Sequence, residues 1–426
     1  MANIWEHCLE HAALSDVGLR RSNNQDSLAV TLATSQQAWE EKGHLFTVAD
    51  GMGAHAAGEL ASKIAADVIP LTYHKLSETG PPEALRMAVT AANTHIHDRG
   101  QASRDFRGMG TTGSTLALLP HGALVGHVGD SRVYRLRNWQ FEQLTFDHSL
   151  VWEMSSAQKI PEHEVPDYVP KNIITRSLGP NQDVQVDIEG YFPLEIGDTF
   201  LLCSDGLTGP VNDEEIGTIL GCLHMNEAVR ALVDLANVRG GPDNITVVVV
   251  KVTGPQKANQ PTAASGNTPP SQPRPVHPLL WSLLGVFGLG TLGAAAMGEW
   301  VAALWGLAAS LVTGGIVLAR RYTKPDTTAE HDGQPFGKGP YTAFNCTPSR
   351  HFVERLGKTV SQLREAAAQE KWTVRWHRFD ELIIEAAKAA EEPDFKAAVR
   401  SYCLALSFIM DQLRHQSRGG SGPSPR

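Results

Sequence analysis

Four aspartates in this chain share one setting: an apolar run that reads as a strand, a carboxylate at its end, and a glycine beside it. In LFTVADGMGAHAAG the run Leu45 to Ala49 meets Asp50 and then Gly51. In TLALLPHGALVGHVGDSRVYRLR two apolar runs joined at Pro120-His121-Gly122 read as a hairpin, and the second ends in Gly129-Asp130-Ser131-Arg132. GDTFLLCSDGLTG carries a strand to Asp205 and Gly206, and GGPDNITVVVV places Asp243 and Asn244 just before the last strong strand.

One strand-end aspartate is ordinarily a turn or cap residue, and Asp50 alone could either cap the following helix or hold a cation. Four together repel one another unless cations or protons neutralise them. Hard divalent ions such as Mg2+ or Mn2+ take oxygen ligands and retain several waters. Two such ions close together can share a hydroxide and stabilise both ends of an in-line displacement at phosphorus. The neighbouring glycines would let backbone carbonyls approach a metal with no side chain in the way. A phosphate also needs a cation from the protein. SDVGLRRSNNQDS offers Arg20 and Arg21, whose guanidinium groups can grip phosphate oxygens bidentately, with Gln25 and Asp26 close by.

The elements that must hold these groups lie in residues 1–253, which read as an ordinary globular domain within a chain of 426 residues. A net charge of −9, with no Lys/Arg cluster, argues against a broad nucleic-acid surface. Cys8, Cys203, Cys222, Cys346 and Cys403 lie far apart with no C-x-x-C pair. That spacing argues against a structural zinc site or disulfide framework and for a reducing compartment. The opening MANIWEHCLEHAALSD has no basic region and no long apolar core, so no cleaved signal peptide is expected.

Beyond this domain the composition changes. Residues 254–278 are rich in Pro, Gln, Thr, Ser and Ala and read as a semi-extended linker. Residues 279–319 form an apolar run in which Glu299 is the only charge. A bilayer span needs about 20 apolar residues, so the run divides into two helices, 279–298 and 300–319, turning at Gly298-Glu299. Arg274, Arg320 and Arg321 flank the pair and put both ends in the cytoplasm. An irregular linker over 320–346 leads to a helical domain at 347–414. There Thr347-Pro348 is the expected start of the first helix, with Phe352, Leu356, Val360 and Leu363 on one face. A second helix is expected from Trp376 to Ala390 and a third from Pro393-Asp394, with a disordered tail over 415–426.

Taken in order, GLRRSNNQD, VADGMGAHAAGE, RGMGTTGSTL, HVGDSR, ITRSLG, LLCSDGL and GPDNITVVVV resemble the metal-dependent protein phosphatases of the 2C family, bacterial branch. The resemblance runs from about residue 10 to residue 252 and implies an α+β fold of four layers, α-β-β-α, with two packed antiparallel sheets flanked by helices. In this chain a two-helix transmembrane hairpin and a small all-α domain would follow it. The resemblance implies hydrolysis of phosphoserine and phosphothreonine in proteins with two ions of Mn2+ or Mg2+, by direct attack of a metal-bridging hydroxide and without a phosphoenzyme. Carried over by residue, it implies that Asp50 bridges the two metals and that the Gly51 carbonyl binds the first. Asp205 and Asp243 would bind the second, and Asp130 a third, looser one. Arg21, three residues after Gly18, falls at the phosphate-binding arginine, whereas Arg20 does not. Gln25 stands where some relatives use Glu to hold metal-bound water, and Asp26 and Asn244 would support the site.

Residues 145–172 match a mobile flap. Met52 replaces a histidine proposed as general acid in eukaryotic relatives, which leaves no obvious side-chain acid, and Ala54 replaces a second glycine. The implied partners are phosphoserine and phosphothreonine proteins, an opposing Ser/Thr kinase, the lipid bilayer, and a protein bound by the C-terminal helices. The implied location is the inner (cytoplasmic) membrane with the catalytic domain on the cytoplasmic side. The competing reading is a catalytically weak, phosphatase-like scaffold that binds phosphoproteins at the membrane; the intact aspartate set argues against it. GMGTTG fits a dinucleotide fingerprint but lacks the strand before it and the helix after it. His55, His127 and His148 are irregularly spaced and are expected to pack or hydrogen-bond locally.

Overall fold

The computed structural model describes residues 7–254 and 336–418, apart from 55, 159, 161–164, 167 and 171–172, together with residues 291, 296 and 297. Apart from residues 291, 296 and 297, both expected membrane spans lie outside the described residues, as do nearly all of the Pro-rich linker and the end of the tail. Among the described residues no helix is long and apolar enough to cross a membrane. Met1–Asn259 and Pro335–Arg426 belong to one compact unit.

Two six-stranded sheets form the centre. One contains β2 (Asp26–Thr31), β3 (His44–Met52), β5 (Gly113–Leu119), β6 (Gly122–Val128) and β9 (Asp187–Phe192) in that order, with the short β4 (Gly110–Thr111) also on β3. The other runs β1 (Leu9–Asp16), β11 (Ile245–Val252), β10 (Thr199–Cys203), β7 (Arg132–Arg137), β8 (Gln140–Gln143) and β12 (Thr342–Asn345). All these pairings are antiparallel. Phe46, Val48, Leu116, Leu118, Phe200, Leu202, Val248 and Val250 fill the space between the sheets. Each such side chain contributes about 1.5–3 kcal/mol by leaving water. β5, β6 and β10 are buried on both faces, so their sequences read as unbroken apolar runs and not as alternation.

Helices cover both outer faces, as a half-apolar sheet requires. Among the described residues of this unit the α-helices in chain order are α1 (Gln36–Lys42), α2 (Ala57–Lys75), α3 (Pro81–Ala102), α4 (Leu150–Gln158), α5 (Asp205–Thr208), α6 (Asp213–Cys222), α7 (Met225–Val238), α8 (Arg350–Gln369), α9 (Trp376–Glu391) and α10 (Phe395–Arg418). α2 and α3 pack on the β3 sheet through Ala61, Ala65, Ile69, Leu85 and Val89. α6 and α7 cover the other sheet. The four layers are those the resemblance implies.

Two expectations about the sheets change. β3 does not stop at Asp50: Gly51 pairs with Thr111 and Met52 with Gly110, so the strand runs two residues further. The stretch expected as an irregular linker contains β12, which pairs with β8 and extends the second sheet. Just before it, Phe336 bridges to Gly190 on the first sheet, and the Glu189 carboxylate accepts from Lys338 N, Gly339 N and the Tyr341 hydroxyl. This short strap ties the two sheets together at their edges.

The C-terminal helices also differ from a freestanding bundle. Phe352, Val353, Leu356, Ala405, Leu406 and Ile409 share one core with Ile216, Val229 and Leu232 of α6 and α7. Each of these helices has a single apolar stripe, and burying the stripes against one another satisfies all of them. The cap of α8 is Ser349, whose hydroxyl accepts from Phe352 N, and not Thr347. α10 continues through His415 to Arg418, into the stretch expected as tail.

Candidate functional site

β3 places Asp50 directly opposite Asp26 of β2. Like charges across a strand pair are destabilising unless something neutralises them. Asp130 follows β6, Asp205 opens α5 just after β10, and Asp243 precedes β11. The fold brings all five carboxylates together. Burial raises the Asp50 carboxyl well above the usual range, and Asp26, Asp205, Asp130 and Asp243 each raise it further. Asp130 is pushed up to about 8 by burial, then by Asp205 and Asp147. Burial lifts Asp26 to about 6, although hydrogen bonds from Thr246 and Ser204 oppose it. Asp205 is raised by burial and by Asp243.

Three oxygens in this cluster, Asp26 Oδ1, Asp130 Oδ1 and Asp205 Oδ1, are buried and accept no hydrogen bond. Buried acceptors are normally satisfied. Unsatisfied oxygens on mutually repelling carboxylates suit a hard divalent cation, which takes oxygen ligands. Among the described residues no group of three His, Cys, Asp or Glu forms a ready-made cage; an ion that keeps several of its waters does not require one. Gly51 admits no side chain, because a Cβ there would lie 2.1 Å from the Gly58 carbonyl oxygen. Only glycine lets β3 pass so close to the start of α2.

Hydroxyls that sequence reasoning did not single out fix the cluster in place. Thr112 Oγ1 accepts from Asp50 N at 2.8 Å, while Thr111 Oγ1 and Thr112 N donate to Asp50 O at 2.8 and 2.9 Å. Thr112 Oγ1 and Ser131 Oγ are 2.7 Å apart. Ser204 Oγ donates to Asp26 Oδ2 at 2.8 Å and accepts from Thr246 N at 3.0 Å. The available signal was position: Ser131 and Ser204 each adjoin a cluster aspartate, and Thr111-Thr112 lie inside one of the glycine-rich motifs.

The arginine loop is tied to the same place. Gly18 adopts φ +77°, and a Cβ on it would sit 2.2 Å from the Asp243 carbonyl oxygen. Leu19 N and Arg20 N both donate to Gly241 O. Arg21 Nη2 then donates to Asp243 Oδ2 at 2.7 Å, with half of its side chain exposed. Asn244 secures the loop, accepting from Gln25 N at 2.8 Å and donating to Val17 O and Asn23 O. Arg21 therefore faces the carboxylates, while the Arg20 backbone serves only to hold the turn. Gln25 lies against this centre through its carbonyl, which accepts from Gly51 N at 3.1 Å.

Other charged and reactive groups nearby are committed elsewhere. Arg132 donates to Asp147 at 2.7 Å and to the Tyr134 hydroxyl at 3.0 Å. His127 lies between Ser114 Oγ and Phe146 O, and burial, then His148, lowers it to about 3. His148 Nδ1 accepts from Gly129 N, and its Nε2 meets Asp187. Both imidazoles are structural, as expected; His55 is outside the described residues. Cys203 is buried within β10 and burial pushes its thiol up, so it has no nucleophilic character. Of the expected flap, residues 145–158, 160, 165–166 and 168–170 are described, and Ser149 bridges to Ile174.

Residues 20–238 match the family described as Protein phosphatase 2C. A Putative protein phosphatase 2C-type of Streptococcus pyogenes is 39% identical over 241 residues, covering 55% of this chain and 94% of that protein. Protein phosphatase PhpP of Streptococcus pneumoniae is 36% identical, with 57% and 98% covered. Among solved structures, the serine/threonine phosphatase of S. agalactiae aligns with a TM-score of 0.51 at 36% identity, over 57% of this chain and 99% of that one.

Proposed function

The chain belongs to the protein phosphatase 2C family and is a protein serine/threonine phosphatase, and on that premise we propose how its residues divide the work. Phosphatases of this type use Mn2+ or Mg2+. Asp50, Asp205, Asp243 and Asp130, with the Gly51 carbonyl, would hold the ions, which supply charge neutralisation and a water of lowered pKa for attack on phosphorus. Asp26, opposite Asp50, adds a further carboxylate whose charge the ions would offset, and Thr111, Thr112 and Ser131 fix the Asp50 backbone against that repulsion. Arg21 binds and orients the phosphoryl group of phosphoserine or phosphothreonine. Asp243 holds one edge of its guanidinium, and the exposed remainder is available to phosphate oxygens. Displacement would be direct: Cys203 is buried within β10, and the hydroxyls of Thr112, Ser131 and Ser204 are engaged with Asp50 N, with one another or with Asp26.

The apolar run 279–319 would tether this enzyme to the cytoplasmic membrane, with the catalytic unit on the cytoplasmic side. Its length and flanking arginines support this reading. Tethered there, the enzyme would act on membrane-proximal phosphoproteins and oppose a Ser/Thr kinase.

The observation that carries the catalytic assignment is the set of buried, unpaired carboxylate oxygens beside a half-exposed Arg21. The test is Mn2+-dependent hydrolysis of a phosphothreonine peptide by the full chain in detergent, with and without EDTA. The catalytic domain alone is a poor substrate for this test, because the C-terminal helices share its core. Phosphopeptide binding without hydrolysis at saturating Mn2+ would replace the enzyme by the scaffold reading.

A further inference from the structure

The last helix of the chain reaches the arginine loop from behind. We propose that Arg414 of α10 is a positioning residue for Arg21, an inference that rests on the phosphate-binding role given to Arg21 above. Arg414 lies between two carboxylates. Its Nη2 donates to Asp234 Oδ1 on α7, a fully buried group, and its Nε is 4.0 Å from Asp16 Oδ2 at the end of β1.

Asp16 is itself part of the loop's anchorage. Its Oδ1 accepts from Gly18 N at 2.9 Å and from Asn237 Nδ2 at 3.1 Å. Gly18 abuts the Asp243 carbonyl, Gly241 O receives Leu19 N and Arg20 N, and Arg21 closes on the Asp243 carboxylate. A Cβ on Gly241 would lie 2.5 Å from Asn237 Oδ1, so the turn after α7 is packed against the end of that helix. The Asp16–Arg21 loop and the Gly240–Asp243 loop thus form one bonded assembly. Its two roots are β1 and α7, and Arg414 spans both.

Removing the guanidinium would leave the buried Asp234 uncompensated, with Asp16 nearby. The roots would separate, and the displacement would pass along Gly18, Leu19 and Arg20 to Arg21. α10 lies outside residues 20–238, the part that matches the family, so this contribution to phosphate binding comes from the chain's C-terminal extension.

A control is available on the same two helices. Arg400 of α10 makes a bidentate pair with Glu227 at the other end of α7, at 2.7 and 2.9 Å, and touches neither Asp16 nor the loops. The experiment compares wild type, Arg414→Gln, the double variant Asp234→Asn/Arg414→Gln, and Arg400→Gln as full chains with Mn2+. It measures KM and kcat for a phosphopeptide, inhibition by inorganic phosphate, and Tm. Arg414→Gln is expected to raise KM and the phosphate inhibition constant about tenfold while kcat stays within about twofold, a positional effect smaller than the roughly hundredfold cost of a 1 Å misplacement. The double variant, which strands no charge, recovers Tm but keeps the raised KM. Arg400→Gln lowers Tm and leaves KM alone. An unchanged KM in the folded double variant, or an equal rise in Arg400→Gln, would overturn the assignment. Wild-type hydrolysis in the same assay reports on the catalytic reading separately.

Discussion

The carboxylates at the strand ends and those along the C-terminal seam are the same chemical group in opposite surroundings. At the seam each has an arginine: Glu215 accepts from Arg239 and Arg355, Glu227 from Arg400, and Asp234 from Arg414. Those partners hold the Glu215 carboxyl below its usual range against the opposing effect of burial. At Glu227 the Arg400 hydrogen bond does the same. In the strand-end cluster Arg21 pairs with Asp243, and Asp26, Asp50, Asp130 and Asp205 are all raised. Asp234 falls between the two, since burial carries it to about 6 although Arg414 opposes the shift. The difference separates architecture from function. A carboxylate whose cationic partner is built into the chain holds two elements together, whereas those without one are the ones we propose to take a cation from outside.

The comparison breaks most visibly at Asp50. Asp50→Asn is expected to lower kcat by about a thousandfold or more, the scale of losing a principal electrostatic element of a site. In EDTA the same change relieves repulsion with Asp26, so Tm should hold or rise by about 2 °C. Phosphopeptide kinetics and calorimetry on one preparation test both halves, and a folded variant that keeps its rate would remove Asp50 from the mechanism. Metal addition gives the next largest effect. Mn2+ at a hundred times its Kd should stabilise the wild type by about 2.7 kcal/mol and Asp205→Asn by much less. Equal shifts in the two proteins would place the ion elsewhere.

Glu215 supplies the converse. Glu215→Gln removes a carboxylate that joins α6, α7 and α8 and also closes the cap of α6 on Asn212. A loss of about 1–3 kcal/mol is expected, because Arg239 and Arg355 can still reach water. The rate constant kcat should be unchanged. A fall in kcat without a fall in Tm would show that the seam participates in catalysis.

How much of this was legible depends on how far each determinant acts along the chain. The strands around Asp50, Asp130, Asp205 and Asp243 were readable because an apolar run ending beside glycine is a local pattern. Two residues of β3 were missed because their pairing partner, Gly110-Thr111, lies some sixty positions away and is only two residues long. The same limit hid the opposition of Asp26 to Asp50, which is a matter of register, and the hydroxyls of Thr111 and Thr112, which act through the backbone of a distant strand. At the C-terminus the apolar stripes of α8 and α10 were plain, and so was their helical period. Periodicity gives the face that must be buried but not the surface that buries it. Here that surface is α6 and α7, well over a hundred residues earlier. β12, the four residues TAFN, carries too little pattern to announce a strand, and it becomes one only because β8 offers an open edge.

The smallest effect expected is on pH dependence, and it distinguishes the seam by sign. A carboxyl with a lower pKa in the folded than in the unfolded chain contributes stability that is complete above the unfolded value. That contribution is lost as pH falls through the folded value. Glu215 and Glu227 are both of this kind, and their ordinary value is 4.5. The Glu215 and Glu227 pairs should therefore loosen only below about pH 4.5, whereas Asp234, carried to about 6, works in the opposite sense. Arg355→Gln and Arg400→Gln each remove one of the cations responsible. In either variant the fall in Tm between neutral and acid pH should be shallower than in the wild type, by about 1–2 °C for a partly exposed pair. Tm measured across that range at constant ionic strength tests it. A slope identical to wild type in both variants would mean that the arginines contribute packing alone, and that the charge contrast between seam and cluster is carried by the cluster.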